Sequence, residues 1–448
     1  MRIALFVHCF LPEHFYGTET YTLNLAQHLI ALGHEPIVVT AIFPGEPTRG
    51  KEITEYIYQN VPVICLDKNY YPHKRVKDTF YQPELKVVYE RVLDFIKPDL
   101  VHVTHLINHT AVLLEVLAER KILSVATLTD FFGFCFNNKL ENAAGNLCAG
   151  PNKPRSNCLA CYGKAASINR TDNYFLSLFN SPRLAQPLAS AAVFANQLPI
   201  LKSTVLGGVI EDLQARPDIL CNLYSQYSAC ITPTNFLRSA YERNGFLNSM
   251  HPIWFGTDID RTPKQKRNSN HPLRFGFIGQ IAPHKGTDLL IEAFNRLPSS
   301  SATLQIFGSK DQAPQFFSAL QQMAGTNVHF RGTFPQQDMA QVLAEIDVLV
   351  IPSRWYENSP LVLLDALATG TPTVVSNVEG LTEFVQDGVN GYSFERGSVD
   401  SLETVLRQLL EKPEQLSSMI KNTSFNRTIR DMAIDTILVY KSILSTQF

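Results

Sequence analysis

The chain has 448 residues, of which 45% are hydrophobic and 18% charged, and its formal net charge is −2. This composition predicts a globular protein with room for two large α/β domains or three average ones, and a charge so near neutral gives no argument for nucleic-acid binding. The first apolar run ends at His8 and the longest uncharged stretch, residues 184–201, is broken by proline and amides. Neither a signal peptide nor a membrane span is predicted, and we expect a cytoplasmic protein.

Strands and helices alternate from the N-terminus to about residue 128. Residues 2–10 predict a strand, and Gly17 opens a helix that ends at Gly33. Strands separated by helices predict a parallel sheet that is covered on both faces. The first strand-to-helix loop lacks the Gly-x-Gly-x-x-Gly pattern, which argues against a dinucleotide-dependent dehydrogenase.

The alternation stops between residues 130 and 216, where two other features appear. Four cysteines end in a Cys-x-x-Cys pair, and four soft ligands suit a structural zinc, although independent thiols remain the alternative. The apolar stretch at 175–209 predicts helices that extend the core, bind a hydrophobic acceptor or rest on a membrane surface. The four cysteines are Cys135, Cys148, Cys158 and Cys161.

A second α/β pattern follows a polar segment. Residues 256–272 predict a linker between an N-terminal domain at 1–255 and a C-terminal domain at 273–428, and a last helix at about 429–448 is expected to pack back on the first domain. The predicted fold class is therefore α/β, with two doubly wound Rossmann-like domains facing a cleft. Ligands of such sheets bind at the carboxyl ends of the strands.

Two carboxylates flank a helix start in the second domain. Glu357 lies in the loop after a buried strand, and Asp365 lies within the apolar helix that follows. Ser359 predicts an N-cap with Pro360 at the first helical position, and the free N–H groups of such a turn favour an anion. Two ordinary surface acids are an equal alternative on these residues alone.

A cation follows the first strand of the second domain. Lys285 lies in a strand-to-helix loop, where an ammonium group and helix N–H groups can together bind a diphosphate. The alternative is a solvated lysine at a helix start. The loop is not a Walker loop, because the Gly-x-x-x-x-Gly-Lys-Ser/Thr pattern is missing.

Together these motifs resemble the retaining glycosyltransferases of the GT-B fold, the large fourth sequence family of group 1 type. The resemblance extends over nearly the whole chain and is strongest from Leu273 to about Glu411. The matching segments are Phe277–Gln280, His284–Gly286, Glu357–Pro360 with Asp365, Ala368–Pro372 and Asp387–Gly391, and more loosely Tyr16–Glu19 and Leu32–Glu35.

The resemblance implies roles for individual residues. Glu357 would contact the donor sugar, Asp365 would accept the ribose hydroxyls, and Lys285 would stabilise the leaving diphosphate as a catalytic cation. Asp130 would orient the acceptor or the sugar, since Thr129 stands where the family often has a histidine. The other implied donor-binding residues are Gly17, Gly279, Gln280, Asn358, Ser359, Pro360 and Leu361.

The implied reaction moves a sugar from a nucleotide diphosphate-sugar to a hydroxyl acceptor on a glycan, a lipid-linked carrier or a small molecule. It retains the anomeric configuration, requires no metal or other cofactor, and serves carbohydrate biosynthesis in the cytoplasm, with peripheral membrane contact as one expectation. A GT-B epimerase or phosphorylase is the enzymatic alternative. A nucleotide-sugar-binding protein without turnover is the other, because Gln280 replaces a common arginine, Thr129 a common histidine and Asp365 a common glutamate.

Overall fold

The computed structural model describes residues 1–169, 174–261 and 272–445. The chain divides into two compact units, Met1–Trp254 with Arg430–Phe448, and Phe255–Ile429. Each unit is built on a parallel sheet, which confirms the predicted α/β class. Most of the predicted linker, residues 262–271, lies outside the described residues, as do the last three residues of the predicted C-terminal helix.

The first unit contains an eight-stranded sheet in the order β3-β4-β2-β1-β5-β6-β7-β8. Only β3 runs antiparallel, as an edge strand paired with β4. The strands that follow β1 in the chain are added on one side of it, and β5 with its successors on the other side, so the β1–β5 pair is the switch point of the sheet. The loops after these two strands are therefore neighbours. The strands are β1 (Arg2–Phe6), β2 (Glu35–Ile42), β3 (Ile53–Tyr58), β4 (Val61–Asp67), β5 (Leu100–Val103), β6 (Ser124–Thr127), β7 (Ala229–Thr232) and β8 (Met250–Pro252).

Nine α-helices accompany these strands in the described part of residues 1–254. The helices expected within 175–209 are present, and α4, α6 and α8 share a small core of their own. Within the described ranges, no helix combines the length and the apolar character that crossing a membrane requires. The helices are α1 (Gly17–Ala31), α2 (Lys86–Ile96), α3 (Val112–Glu119), α4 (Ser156–Asn169), α5 (Tyr174–Ser177), α6 (Ala185–Ala195), α7 (Pro199–Lys202), α8 (Val205–Tyr224) and α9 (Asn235–Arg243).

The second unit contains a six-stranded parallel sheet in the order β11-β10-β9-β12-β13-β14. Its switch point lies between β9 and β12, so the loops after those strands are neighbours. The strands are β9 (Leu273–Ile278), β10 (Ala302–Phe307), β11 (Val328–Gly332), β12 (Val348–Ile351), β13 (Thr373–Ser376) and β14 (Gly391–Phe394). The helices are α10 (Thr287–Asn295), α11 (Pro314–Met323), α12 (Met339–Ala344), α13 (Leu361–Ala368), α14 (Val399–Glu411) and α15 (Pro413–Asn422).

The chain then returns to the first unit through α16 (Ile429–Ser445). The hydroxyl of Tyr440 lies 2.5 Å from Nδ1 of His102 on β5, and both residues are fully buried. The other ring nitrogen of His102 lies 2.8 Å from the Thr127 hydroxyl. Burial lowers the pKa of His102 to about 3, so this histidine is a neutral structural link between α16 and the sheet.

Candidate functional site

An ion pair occupies the switch point of the second sheet. Lys285 follows β9 and Glu357 follows β12, and Nζ of the lysine lies 2.7 Å from Oε1 of the glutamate. Only 21% of the lysine side chain and 8% of the glutamate side chain are exposed. The two residues that the sequence singled out separately are therefore partners at the edge of the sheet where α/β proteins bind ligands.

The same oxygen of Glu357 accepts two further hydrogen bonds. Ser353 donates its hydroxyl at 2.5 Å and Trp355 donates its indole N–H at 3.1 Å. Both donors lie in the loop that carries the glutamate, and neither was predicted from the sequence. Three donors on one oxygen fix the carboxylate in a single orientation, which is what a preorganised binding group needs.

Two glycines allow other backbone segments to approach the Glu357 loop. Gly380 has φ of +85°, and a Cβ there would lie 1.5 Å from the carbonyl oxygen of Glu357. Gly286 has φ of +72°, and a Cβ there would lie 2.0 Å from the carbonyl oxygen of Pro352. The close approach and the left-handed conformation both require glycine. Gly380 was not predicted, since its role depends on a contact with a distant part of the chain.

Aromatic and basic groups surround the pair. Nζ of Lys285 lies 5.1 Å from the ring centre of Trp355, whose other neighbour is the His284 ring at 3.8 Å between centroids. Arg354 donates to both carboxylate oxygens of Asp288, at 2.6 and 2.9 Å. The charge of Arg354 is thereby offset by Asp288, whereas the charge of Lys285 is directed at Glu357.

The start of α13 differs from the prediction. Pro360 is the N-cap, α13 begins at Leu361, and Ser359 adopts a left-handed conformation with φ of +59°. The prediction of Ser359 as cap and Pro360 as first helical residue was therefore wrong by one position. The Ser359 hydroxyl is buried and has no hydrogen-bond partner among the described residues. The first-turn N–H groups still lack intrahelical partners, so the anion-binding character of this turn is unchanged.

Asp365 is buried inside α13, with 5% of its surface exposed. Its Oδ1 accepts a hydrogen bond of 2.5 Å from the hydroxyl of Thr257. Burial raises the pKa of this carboxyl to about 6, because desolvation disfavours the charged form, while the Thr257 bond acts in the opposite direction. Asp365 is thus not a surface acid, which removes the alternative that the sequence had left open for it.

The remaining predicted site residues of the second unit lie around the same loops. Gly279 follows β9 and donates its N–H to the carbonyl of Phe307 at 3.1 Å, and Gln280 is the next residue. Asn358 precedes the left-handed Ser359. Of the predicted residues in the first unit, Gly17 is the first residue of α1 and Asp130 follows β6.

Asp130 forms a hydrogen-bonded pair with a histidine. Its Oδ2 lies 2.8 Å from Nε2 of His105, and its Oδ1 accepts from the backbone N–H of Phe132 at 2.8 Å. The N–H of Ile107 donates to Nδ1 of His105 at 3.1 Å, so a neutral ring carries its proton on Nε2, facing the aspartate. His105 thus orients the carboxylate of the predicted Asp130.

Further titratable groups meet at the β1–β5 switch point of the first unit. The rings of His8 and His105 are 4.3 Å apart, and Oε1 of the buried Glu19 lies 3.3 Å from Nε2 of His8 and 3.0 Å from Sγ of Cys9. Burial, and secondarily the neighbouring histidines, lower the pKa of His8 well below its ordinary value. Sequence reasoning missed this cluster because His105 reaches His8 only through the pairing of β1 with β5.

The four clustered cysteines do not converge on a common point. A zinc site needs four ligand atoms at about 2.0–2.3 Å from one centre. Among the described residues, the only set of three or more such ligand atoms within 4.8 Å of one another is His8, Cys9 and Glu19. The Cys135 thiol donates to Asn137 at 2.9 Å and the Cys148 thiol to the carbonyl of Gly150 at 3.3 Å. The predicted zinc at Cys135, Cys148, Cys158 and Cys161 is thus not supported, and we interpret these residues as separate thiols.

Two family sequence models match the chain. The model described as "Glycosyl transferases group 1" matches residues 258–424, and the model described as "Glycosyltransferase Family 4" matches residues 15–142. Together they take in more than half of the chain, one in each unit.

Curated relatives match over shorter stretches. The chain is 33% identical over 185 residues to the D-inositol 3-phosphate glycosyltransferase of Geodermatophilus obscurus, which is 36% of this chain and 40% of that one. It is 30% identical over 146 residues to the glycogen synthase of Francisella tularensis, which is 30% of each chain. These alignments span less than two thirds of the relatives' own length.

Solved structures match over almost the whole length. The sucrose-phosphate synthase of Thermosynechococcus elongatus superimposes with a TM-score of 0.67 at 16% identity, over 99% of both chains. Anabaena HepE in complex with UDP and glucose superimposes with a TM-score of 0.63 at 15% identity, over 99% of this chain and 100% of that one. At such low identity these similarities establish the fold, and with both family models they show that the chain belongs to the group 1 glycosyltransferases of GT-B fold.

Proposed function

We propose that the protein is a glycosyltransferase that moves a sugar from a nucleotide diphosphate-sugar to a hydroxyl acceptor, with retention of the anomeric configuration and without a metal. The observation that carries this proposal is the Lys285–Glu357 pair at the β9–β12 switch point, inside the segment that matches the group 1 family. The HepE structures contain UDP and glucose or UDP-glucose, which makes UDP-glucose the first donor to test.

The pair suits the junction between the sugar and the diphosphate. Lys285 would face the phosphate and Glu357 the sugar, and their 2.7 Å separation would set these two recognition points on adjacent parts of the donor. The Ser359 hydroxyl and the first-turn N–H groups of α13 would bind a sugar hydroxyl or a phosphate oxygen, and Asp365 the ribose hydroxyls. Gly279, Gln280 and the backbone of Asn358, Pro360 and Leu361 would complete the part of the donor site that belongs to the second unit.

Metal independence follows from fixed positive groups. As the bond between the anomeric carbon and the phosphate oxygen breaks, negative charge grows on the diphosphate. Lys285 and the N-terminal end of α13 would offset that charge. The acceptor oxygen would bond to the same face of the anomeric carbon and pass its proton to the phosphate. Asp130, oriented by His105, would position the acceptor. We place the reaction in the cytoplasm with peripheral membrane contact.

Replacing Glu357 by Gln tests the proposal, because it keeps the shape of the side chain and removes its charge. We expect release of the nucleotide diphosphate from the donor to fall by about a hundredfold, the size of effect seen when a positioned charged group is lost. Asp400→Asn is a matched control, since it removes a carboxylate from an exposed pair with Arg296 and should leave turnover unchanged. Unchanged turnover in Glu357→Gln would refute the proposal.

Three further readings separate the alternatives. The anomeric configuration of the product, followed by NMR, distinguishes retention from inversion. Turnover that persists in EDTA supports metal independence. Cleavage that requires inorganic phosphate, or epimerisation without an acceptor, would instead favour the phosphorylase or epimerase, and tight donor binding without turnover would favour a binding protein.

A further inference from the structure

Three side chains of the first unit that are common metal ligands meet between β1 and α1. His8 and Cys9 follow β1, and Glu19 lies in the first turn of α1. Oε1 of Glu19 lies 3.3 Å from Nε2 of His8 and 3.0 Å from Sγ of Cys9. The three ligand atoms all lie within 4.8 Å of one another, which is close enough for them to share one ion.

The carboxylate of Glu19 is buried with little compensation. Only 1% of this residue is exposed, and its two partners, a histidine and a thiol, carry no fixed positive charge. Both partners contact Oε1, whereas Oε2 is buried and has no hydrogen-bond partner in the part of the chain that the structure describes. Buried carboxylates are normally paired with a cation, fully hydrogen-bonded or bound to a metal. The contacts of Glu19 leave one of its two oxygens unsatisfied.

The spacing of the three atoms suits a tetrahedral metal. Zinc bonds of about 2.0 Å to nitrogen and oxygen and about 2.3 Å to sulfur place the nitrogen about 3.3 Å and the sulfur about 3.5 Å from the oxygen. The nitrogen already lies at 3.3 Å, and the sulfur at 3.0 Å has to move outward by about 0.5 Å. Nδ1 of His8 has no partner among the described residues, so no second contact fixes the ring proton and Nε2 is available as a ligand.

The donor set identifies the class of ion. Thiolate and imidazole ligands favour zinc, whereas magnesium and calcium prefer oxygen ligands. We propose that His8, Cys9 and Glu19 bind a Zn²⁺ ion, with the fourth position left to water or a small ligand. Binding releases the Cys9 thiol proton to solvent and places a cation beside the buried carboxylate. The side chain of His8 is 16% exposed and gives the ion a path to the two buried ligands.

This site goes beyond the proposed transfer reaction and can fail independently of it. Zinc binding is measured with the full chain, without donor or acceptor, whereas the metal independence of transfer is measured by turnover in EDTA. Zinc binding together with turnover that persists in EDTA satisfies both proposals. Zinc binding with turnover that EDTA abolishes would overturn only the metal independence of the transfer.

Titration of the full-length protein, first freed of metal with a chelator, tests the site. We expect one equivalent of Zn²⁺ to bind and to raise the melting temperature, because the ion binds the native state. Co²⁺ should produce a sulfur-to-cobalt charge-transfer absorption, since the Cys9 thiolate is a ligand. Glu19→Gln and Cys9→Ser keep the shape of each side chain and should each weaken Zn²⁺ binding by at least about a hundredfold. Cys9→Ser should also abolish the charge-transfer absorption, and circular dichroism checks that both variants fold.

Cys65→Ser is the matched control, because Cys65 is a thiol of the same unit that is as buried as Cys9 but lies outside the cluster. It should bind Zn²⁺ as the wild type does. A wild type that binds no Zn²⁺ would overturn the proposal, as would wild-type affinity in both Cys9→Ser and Glu19→Gln. Zinc binding that survives these two substitutions and is lost in Cys158→Ser would also overturn it, and would assign the ion to the other group of cysteines.

Discussion

At the scale of single residues, the candidate donor site combines groups that are costly to bury. Glu357 is compensated by three donors, whereas Asp365 receives one hydrogen bond from Thr257 in an apolar helix. A buried carboxylate with so little compensation destabilises the folded protein, and such a cost is usually tolerated only where the group has a function. Binding of the ribose hydroxyls would be such a function, and it makes Asp365 a place where stability and function should oppose each other.

The first prediction concerns Asp365→Asn. The ordinary pKa of 3.8 is raised to about 6 in the folded protein, so the folded state binds the proton more tightly than the unfolded state. The resulting stabilisation is complete below pH 3.8 and is lost as the pH rises through 6. At pH 7 the ionised group costs about 3 kcal/mol relative to the protonated one. An asparagine carries no such cost and its carbonyl oxygen can still accept from Thr257.

We therefore expect Asp365→Asn to raise the free energy of unfolding at pH 7 by up to about 3 kcal/mol and to lower donor affinity. The measurement is denaturant unfolding of both proteins between pH 4 and 7, with the difference between them taken at each pH. That difference should shrink as the pH falls toward 4. A difference that stays constant across this range would show that the charge of Asp365 is not what destabilises the wild type.

At the scale of secondary-structure elements, the loop after β12 depends on glycines that admit its neighbours. The prediction is that Gly380→Ala perturbs the protein much more than the left-handed conformation alone would. That conformation costs an alanine about 1–2 kcal/mol. Gly380→Ala adds a Cβ at 1.5 Å from the Glu357 carbonyl oxygen, which forces the loop to move.

Gly397→Ala is the matched control for this prediction. Gly397 has φ of +75°, and no atom lies within 4 Å of its added Cβ. It should show only the conformational cost, with turnover unchanged. Gly380→Ala should lose about 3 kcal/mol or more and most of its donor turnover. Equal losses in denaturant unfolding of the two variants would mean that the Glu357 loop adapts freely to the added methyl group.

The elements that could be predicted from the sequence are those whose residues face the core on both sides. β12 is a continuous apolar run and β9 is apolar except at Arg274 and Gly276, and the ends of these two strands correctly located Lys285 and Glu357. The sequence pattern does not indicate β3, because it is an antiparallel edge strand with partly exposed side chains, nor β14, because it is short and begins with a glycine. Apolar periodicity carries little information at a sheet edge.

Parts of the site could not be predicted, for two physical reasons. The left-handed conformation of Ser359 is imposed by its surroundings, and serine before proline is also a common helix start, so the local pattern favoured the wrong residue as cap. The cluster of His8, Glu19 and His105 depends on β1 and β5 being adjacent. Their adjacency is a property of sheet order, which no local pattern in the sequence contains.

At the scale of the whole molecule, the first unit is completed by residues from the end of the chain. The chain passes through the second unit and then returns to the first unit in α16. Four residues of this helix are among those fully or almost fully buried: Met432, Ala433, Thr436 and Tyr440. Its polar link to the sheet is the bond between Tyr440 and His102. The stability of the first unit should therefore depend on a residue that lies more than half the chain away in sequence.

The last prediction is that Tyr440→Phe destabilises the protein although it removes only one oxygen. The ring packing is kept, but Nδ1 of the fully buried His102 loses its partner, and an unsatisfied buried polar atom costs about 1–3 kcal/mol. Tyr392→Phe is a suitable control, because its hydroxyl makes two hydrogen bonds but belongs to a partly exposed side chain where water can replace them. Denaturant unfolding should show a clear loss for Tyr440→Phe and a smaller one for Tyr392→Phe. If Tyr440→Phe instead unfolded at the wild-type midpoint, the bond between Tyr440 and His102 would contribute nothing measurable to the stability of the protein.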